Sequence, residues 1–305
     1  TNTYTNRAYS CFPDLSSDRR FGIPWDGFPY VPYCSSGFGR FACDCNEKEN
    51  DLGLGLKKII LINKKEGETP LEALGRFREK NKKYKDVKMT YAGRLDPMAS
   101  GLLLVLAGEE TKNKDKYNQF DKEYEFEVLF GFATDTYDIL GKIEHSNILE
   151  NVRMSELAKD IKKSLKYFTG KFRQKYPIYS SKTVGGKQLF QYARDGEEVG
   201  LPEREVNVRN LQFIKLRKVS NKNLLKNIKK RISKVKGDFR QEEIMDIWSK
   251  ELKKDNVFYI GSFHIRCTSG TYVRGIANSL GDKIGIPALA FSIQRTKVGK
   301  WIKEE

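Results

Sequence analysis

The sequence predicts an α+β fold, because segments with the period of two that marks half-buried strands occur beside segments with the 3.6-residue period of amphipathic helices. The two kinds do not alternate as regular strand–helix–strand units, and no fixed-period repeat is present. The chain has 305 residues, which is long enough for one large or two modest domains. Its longest apolar run, Leu102–Ala107, is far shorter than the roughly 20 residues that cross a bilayer. No membrane span is therefore expected.

The first predicted elements are a short buried strand at Lys57–Ile62 and a helix that begins directly after Thr69. Thr69 is the expected N-cap, Pro70 takes the first helical position, and Glu72 completes a capping box. The apolar residues expected on the buried face of this helix are Leu71, Leu74 and Phe77.

Five further elements are predicted along the chain. Residues 123–131 alternate as a half-buried strand would, with Tyr124, Phe126, Val128 and Phe130 inward. Ser155 is the expected cap of a helix whose buried face consists of Leu157, Ile161, Leu165 and Phe168. Residues 208–216 and 257–267 are predicted strands, and residues 272–284 have the apolar spacing of a helix.

A lysine-rich segment, residues 217–256, separates the last two predicted strands. A loop of that length without secondary structure would be unusual in a compact domain. Apolar residues recur in it at helical intervals, at Leu225, Ile228, Ile232, Ile244 and Ile247. The segment is therefore predicted to be a helical insertion.

The first 56 residues differ in composition from the rest of the chain. They contain four of the five cysteines, with 5 basic and 7 acidic residues, whereas residues 57–305 contain 51 basic and 33 acidic residues. The cysteines form no C-x-x-C pair, so no metal site is predicted. Residues 1–56 are interpreted as an N-terminal extension of unknown function that is poorly ordered.

The net charge of +16 arises in residues 57–305. A globular body with such an excess is expected to associate with a polyanion, either nucleic acid or an acidic membrane surface. The alternative is a basic surface without a dedicated partner. The isolated Cys267 in this basic body is typical of a protein of the reducing cytoplasm.

The segment Tyr91–Gly101 is the most informative about chemistry. Its two glycines and one proline impose an irregular connection, and Asp96 is its only carboxylate. The apolar run that follows places Asp96 on a loop backed by a buried element, which is how a rigid scaffold presents a catalytic group. Asp96 is therefore either a catalytic carboxylate or a turn former that precedes Pro97.

This segment resembles the G-x-LDP-x-ATG signature of the TruB-type tRNA pseudouridine synthases. Blocks that resemble the same family follow in family order over nearly all of residues 57–300: Gly108–Lys112, Lys122–Tyr124, Phe132–Asp138, Pro177–Lys182, Gly186–Arg194 and Cys267–Arg274. The resemblance implies that residues 57–305 are a catalytic domain with the pseudouridine-synthase fold, in which helices flank a mixed, mainly antiparallel sheet. It also implies isomerisation of a uridine at position 55 in the T loop of tRNA, by a nucleophilic aspartate and base flipping.

The resemblance assigns roles to individual residues. Asp96 would be the nucleophile, Arg194 its ionic partner, and Tyr124 the ring that stacks on the flipped uracil. Tyr91 stands where the family commonly has a histidine and would stack beside the displaced base. Further substrate-binding residues would be Lys112, Lys182, Lys187 and Arg274 as phosphate contacts, and Tyr192 and Leu211 as pocket lining. Core packing remains an alternative for Tyr124 and Leu211, and attack on the base or on the sugar stays open.

The resemblance implies tRNA as the partner of a cytoplasmic monomer that needs no protein partner, cofactor or metal. Only ten residues follow Arg295, so the small RNA-binding domain that many relatives carry at the C-terminus is not expected. Relatives that depend on a guide RNA use that domain and are a less favoured interpretation. The insertion at residues 217–256 is either an extra RNA-gripping arm or a solvated helical hairpin. The alternative class of function is a catalytically silent RNA-binding protein or tRNA folding chaperone, which would not need Asp96.

Overall fold

The computed structural model describes residues 55–147, 149, 152–253 and 256–303. The predicted N-terminal extension lies outside the described residues, apart from Gly55 and Leu56. Leu56 packs against an apolar cluster that contains Ile60, Ile62 and Leu74.

The described residues form thirteen strands and seven α-helices. In chain order the strands are β1 (Ile59–Lys64), β2 (Met89–Ala92), β3 (Ala99–Ala107), β4 (Lys122–Phe130), β5 (Phe132–Thr134), β6 (Ile143–Ser146), β7 (Gly170–Lys175), β8 (Thr183–Val184), β9 (Lys187–Gln188), β10 (Glu203–Ser220), β11 (Val257–Cys267), β12 (Ala288–Val298) and β13 (Trp301–Ile302). The helices are α1 (Pro70–Lys80), α2 (Lys114–Asn118), α3 (Met154–Ser164), α4 (Leu189–Asp195), α5 (Asn221–Ile232), α6 (Gln241–Glu251) and α7 (Val273–Ile284).

Nine of these strands form one sheet in the order β1-β3-β12-β4-β11-β10-β7, with β2 added to β3 and β13 to β12. Only the β3–β12 pair is parallel among the strand pairs of this sheet in the described part of the chain. The prediction of a mixed, mainly antiparallel sheet with flanking helices is therefore confirmed.

The capping box at the start of α1 is confirmed. Thr69 Oγ1 accepts a hydrogen bond from the Glu72 backbone at 3.2 Å, and Glu72 Oε2 accepts one from the Thr69 backbone at 2.7 Å. Leu74 is buried as predicted, but the inward position predicted for Leu71 is wrong, since this residue is 69% exposed. Leu71 lies in the first turn of the helix and is one of the residues that line the cavity described below.

The helix predicted after Ser155 is present, but the predicted cap is wrong. The helix begins at Met154 with Arg153 as its N-cap, and no side chain caps it. Leu157 and Ile161 are buried as predicted. The start of α3 follows from the packing of this apolar face on the core rather than from a capping hydrogen bond.

Two apolar layers cover the two faces of the sheet. Along β4, Phe126, Val128 and Phe130 belong to a layer that contains α3 and α7, whereas Leu129 belongs to a layer that contains α5 and α6. This division follows from the alternation of side chains along a strand.

The predicted helical insertion is confirmed and begins later than expected, because β10 continues to Ser220. Its helices α5 and α6 are anchored by Trp248, which is fully buried and donates from Nε1 to the Ile139 carbonyl at 3.2 Å. Arg231 at the end of α5 pairs with Glu66 at 2.6 Å. The insertion is therefore a packed layer of the domain and not a free hairpin.

A membrane crossing would need a helix that is both long and apolar, and the described residues contain none that meets both conditions.

Candidate active site

A cavity of about 1120 Å³ opens beside the loop that carries Asp96. Five segments line it: the loop from Tyr91 to Pro97, the start of β4, residues 136–140, residues 179–181, and residues 269–274. The tip of the insertion adds Phe239 and Arg240. The cavity therefore brings together most of the sequence blocks that resemble the family.

Asp96 lies on the loop between β2 and β3. Its backbone carbonyl accepts a hydrogen bond from Ala99 at 3.0 Å, which closes the turn. Gly93 takes a left-handed φ of 71° in the same loop, where glycine is favoured. The side chain of Asp96 remains 34% exposed, so that a molecule in the cavity can reach its carboxylate.

Arg274, in the first turn of α7, is the ionic partner of Asp96, with Nε 2.8 Å from Oδ2. Its other two nitrogens are also occupied, because Nη1 donates to the Thr136 carbonyl and Nη2 to the Tyr179 carbonyl, each at 2.7 Å. Burial disfavours the charge, but Asp96 and Asp138 outweigh it and raise the pKa of Arg274. The predicted role of Arg274 as a phosphate contact is wrong, since the side chain is buried and its donors are used.

The predicted pairing of Arg194 with Asp96 is also wrong, because the guanidinium that contacts the Asp96 carboxylate is that of Arg274. Arg194 is exposed on α4, and its Nη2 donates to the Asp238 carbonyl at 3.2 Å. It does line the same cavity. The structure thus brings Arg194 to the cavity but gives it a different contact.

Asp138 is a second carboxylate near Arg274 and, unlike Asp96, it is buried. Its Oδ1 accepts hydrogen bonds from Thr136 Oγ1 at 2.8 Å and from the Leu140 backbone at 2.9 Å. Burial raises the pKa of Asp138 to about 6, although Arg274 opposes the shift. Asp138 was not among the predicted site residues, and its only signal in the sequence was its place in the Phe132–Asp138 block.

Tyr124 lies near the start of β4, where it is buried, as its inward position in the alternation predicted, and it also lines the cavity. Burial raises the pKa of Tyr124 to about 12, so the phenol stays protonated at neutral pH. Arg295 lies opposite Tyr124 in the β4–β12 register. Arg295 is itself buried and donates to the carbonyls of Leu102 at 2.7 Å and Gly93 at 2.9 Å, which ties β12 to the Asp96 loop.

Two buried lysines near the site were missed from the sequence. Burial lowers the pKa of both Lys64 and Lys122 to about 8. Lys64 Nζ donates to the carbonyls of Lys65 at 2.9 Å and Pro97 at 3.3 Å, so it supports the Asp96 loop. Lys122 lines the cavity and donates to the Asn118 carbonyl at 2.6 Å. The alternation that placed Tyr124 inward also predicts an inward side chain two residues earlier, at Lys122.

Tyr91 is half-buried and lines the cavity, and its hydroxyl accepts a hydrogen bond from Arg94 at 3.4 Å. Leu211 of β10 lies in the core and is not part of the cavity lining, so its predicted place in the pocket is wrong and the alternative of a core leucine is confirmed. Ile293 of β12 lines the cavity, and no sequence pattern indicated this position. Tyr192 also lies outside the lining, and its hydroxyl donates to the Val184 carbonyl at 3.0 Å.

The three predicted lysine contacts lie outside the cavity lining. Lys112 is exposed and pairs with Glu109. Lys182 is exposed, with Nζ 5.6 Å from the centre of the Tyr176 ring. Lys187 is held by two acidic side chains, Asp195 and Glu197.

Within the described ranges, no group of three or more His, Cys, Asp and Glu side chains could hold a metal ion. The arrangement at the cavity is a partly exposed carboxylate, a buried guanidinium that fixes it, and an aromatic ring. This combination holds a carboxylate in a fixed orientation with one face open to a molecule in the cavity.

Comparison with known proteins gives matches along most of the chain. The family described as TruB family pseudouridylate synthase (N terminal domain) matches residues 80–233. The tRNA pseudouridine synthase B of Lactobacillus gasseri is 32% identical over 241 residues, which cover 79% of this chain and 68% of that protein. The protein of the same name from Caldanaerobacter subterraneus is 33% identical over 212 residues, with 70% and 59% covered.

Solved structures match more weakly. The crystal structure of a Cbf5-Nop10-Gar1 complex gives a TM-score of 0.47 at 17% identity, with 81% of this chain and 50% of that chain covered. The chain thus spans about half the length of the solved chain it matches. The family match covers half of the sequence, and the relative from Lactobacillus gasseri exceeds 30% identity over two thirds of its own length. The chain therefore belongs to the TruB family of pseudouridine synthases.

Proposed function

We propose that this pseudouridine synthase isomerises the uridine at position 55 in the T loop of tRNA, with Asp96 as the nucleophile. The observation that carries the proposal is the pair that Asp96 forms with Arg274 at the cavity. The relatives named tRNA pseudouridine synthase B support tRNA as the substrate.

The pair suits a carboxylate nucleophile. An adjacent guanidinium keeps a carboxylate ionised while a bound base excludes water, and an ionised carboxylate needs no separate base to activate it. Arg274 holds Asp96 from the buried side, since its side chain is 4% exposed and that of Asp96 is 34% exposed. The free face of the carboxylate is thus left for the substrate.

The reaction is an isomerisation and balances within the nucleotide. The bond from N1 of uracil to C1′ of ribose breaks, the base turns, and a bond from C5 to C1′ forms. The proton on C5 is lost and N1 gains one, so that no atom or electron is exchanged overall. Attack of Asp96 on the base and attack on the sugar both satisfy this balance.

Tyr124 and Tyr91 are proposed to hold the displaced nucleotide. A uridine in a folded loop must leave its stack before an enzyme can reach it, which costs a few kcal/mol. Stacking of unpaired bases on aromatic rings offsets part of this cost. The neutral, buried ring of Tyr124 suits stacking on uracil, and the half-buried Tyr91 can fill the space that the base leaves.

The rim of the cavity supports binding of a nucleic acid backbone. Arg94, Arg194 and Arg204 line the cavity and are exposed. Arginines at such positions neutralise phosphates and contribute affinity that falls with salt. Lys112, Lys182 and Lys187 lie farther out and are proposed as contacts to more distant parts of the tRNA.

The test is direct. The purified protein, without a guide RNA or protein partner, is incubated with an unmodified tRNA transcript, and pseudouridine is mapped by chemical adduct formation and primer extension. We expect a stop that reports position 55, and no stop there in a matched transcript with cytidine at that position. Binding of the transcript without any pseudouridine would contradict the proposal and favour the silent RNA-binding alternative.

A further inference from the structure

The tip of the insertion, residues 236–241, reaches the candidate active site. The tip connects α5 to α6, and two of its residues, Phe239 and Arg240, line the same cavity as Asp96. The rest of α5 and α6 packs on one face of the sheet. The tip is therefore the part of the insertion that a molecule in the cavity would meet.

Arg240 has an unusual backbone at this tip. Its φ of 61° lies in the left-handed region, which residues other than glycine, asparagine and aspartate rarely adopt. Hydrogen bonds made by the side chain of the next residue, Gln241, hold the tip in this conformation. Gln241 donates to the carbonyls of Gly237 at 2.7 Å and Val235 at 3.1 Å, and its Oε1 accepts from the Phe239 backbone at 2.8 Å. Such strained positions often mark functional sites.

The guanidinium of Arg240 is held in a defined plane. Nη1 donates to Asp135 Oδ2 at 2.7 Å, and the group lies 4.6 Å from the centre of the Tyr179 ring. Asp135 is itself fixed, because its Oδ1 accepts a hydrogen bond from the Lys142 backbone at 2.9 Å. Nε and Nη2 of Arg240 have no hydrogen-bond partner within the described part of the chain. These donors remain available to a ligand.

The tip also touches α4 on the neighbouring wall of the cavity. Arg194 of α4 donates from Nη2 to the carbonyl of Asp238. This contact places a second arginine beside Arg240 at the cavity. A planar guanidinium with free donors suits bidentate contact with a phosphate.

We propose that the insertion tip is an RNA-binding wall of the active site, in which Arg240 contacts a phosphodiester beside the flipped uridine. The inference rests on the proposed function, because it takes the RNA substrate from there. A merely structural role would require only the pair with Asp135. The two roles differ in what salt does to binding, since removal of a residue that neutralises a phosphate lowers the salt dependence of the affinity.

The experiment measures the affinity of the full chain for an unmodified tRNA transcript between about 50 and 200 mM salt. Arg240→Asn is the main variant, because asparagine tolerates a left-handed backbone and lacks the charge. Arg240→Gly provides a second neutral variant that fits the same φ, should the first not fold. We expect about tenfold weaker binding and a slope of log affinity against log salt that is shallower by about one.

Arg240→Lys should retain the slope, because the charge is kept. The matched control is Lys226→Ala, which removes one exposed charge from α5 away from the cavity lining and should leave affinity and slope nearly unchanged. An unchanged slope in folded Arg240→Asn or Arg240→Gly, or an equal loss in Lys226→Ala, would overturn the inference. Absence of pseudouridine formation by the unaltered protein would instead count against the proposed function, and the two failures are thus distinguishable.

Discussion

Arg274 and Asp96 are 178 positions apart in the sequence, and they form the ion pair at the candidate active site. The same guanidinium binds the carbonyls of Thr136 and Tyr179, so that three segments converge on one side chain. A planar guanidinium can make these contacts at fixed angles, whereas an ammonium group cannot. The pair therefore fixes the position and orientation of the Asp96 carboxylate.

Replacement of Arg274 by lysine should lower kcat by about 100-fold or more, because the charge remains but the orientation of Asp96 is lost. The matched variant is Arg194→Lys, which alters an exposed arginine of the same cavity that does not touch Asp96. It should retain kcat within a few fold. Single-turnover rates of pseudouridine formation compare the two, and equal losses would argue against the assignment of Arg274 as the partner.

Asp96→Asn should abolish isomerisation and leave tRNA binding within a few fold. Asparagine has nearly the same shape as aspartate, so the change removes the proposed nucleophile without altering the cavity. The expected loss in rate is at least about 10⁴-fold, as for removal of other catalytic nucleophiles. Rates and equilibrium binding are measured on the same transcript, with thermal unfolding as a check of the fold. Substantial activity in this variant would refute the role of Asp96.

The sequence predicted local features well. The capping box at Thr69, the inward face of β4 and the helical character of the insertion all depend on contacts within a few residues, and periodicity or capping chemistry reports such contacts directly. Asp96 was also found from its loop and its motif. These features required no knowledge of how distant segments meet.

The errors concern contacts between distant segments. Arg194 and Arg274 both lie in blocks that resemble the family, and nothing local distinguishes which one reaches Asp96. Leu211 was predicted to line the pocket and Ile293 was not identified, because the strand order is not visible in the sequence. In the structure β12 lies between β3 and β4, although it is almost the last strand of the chain. The position of β12 between these two strands brings Ile293 to the cavity.

The stability of the protein should depend on pH through Asp138. Burial raises the pKa of Asp138 from 3.8 in the unfolded chain to about 6 in the folded protein. The folded state thus binds this proton more tightly, and the resulting stabilisation is fully present below pH 3.8 and lost as the pH rises through about 6. Asp138→Asn removes this dependence, because it mimics the protonated carboxyl and can still accept from Thr136 and Leu140.

Urea unfolding at pH 4.5 and pH 7.5 compares Asp138→Asn with the unaltered protein. The free energy of unfolding of the variant, relative to the unaltered protein, should increase between these pH values by about 2 kcal/mol, because pH 4.5 lies above the unfolded pKa and part of the full effect of about 3 kcal/mol is already lost there. A relative stability that is independent of pH would show that Asp138 ionises normally in the folded protein.

Gly101→Ala should destabilise the protein severely, since Gly101 lies where β3 meets β12 in the parallel pair. Its φ is 104°, and an added Cβ would lie 2.2 Å from the carbonyl oxygen of Arg295. Both strands would have to separate, because the clash is with backbone. The matched control is Gly196→Ala at the end of α4, where φ is 69° but the added Cβ meets no atom within 4 Å beyond its immediate chain surroundings. The control should lose about 1 kcal/mol from left-handed strain alone, whereas Gly101→Ala should lose at least about 3 kcal/mol. Equal losses in urea unfolding would mean that the β3–β12 contact is looser than the structure requires.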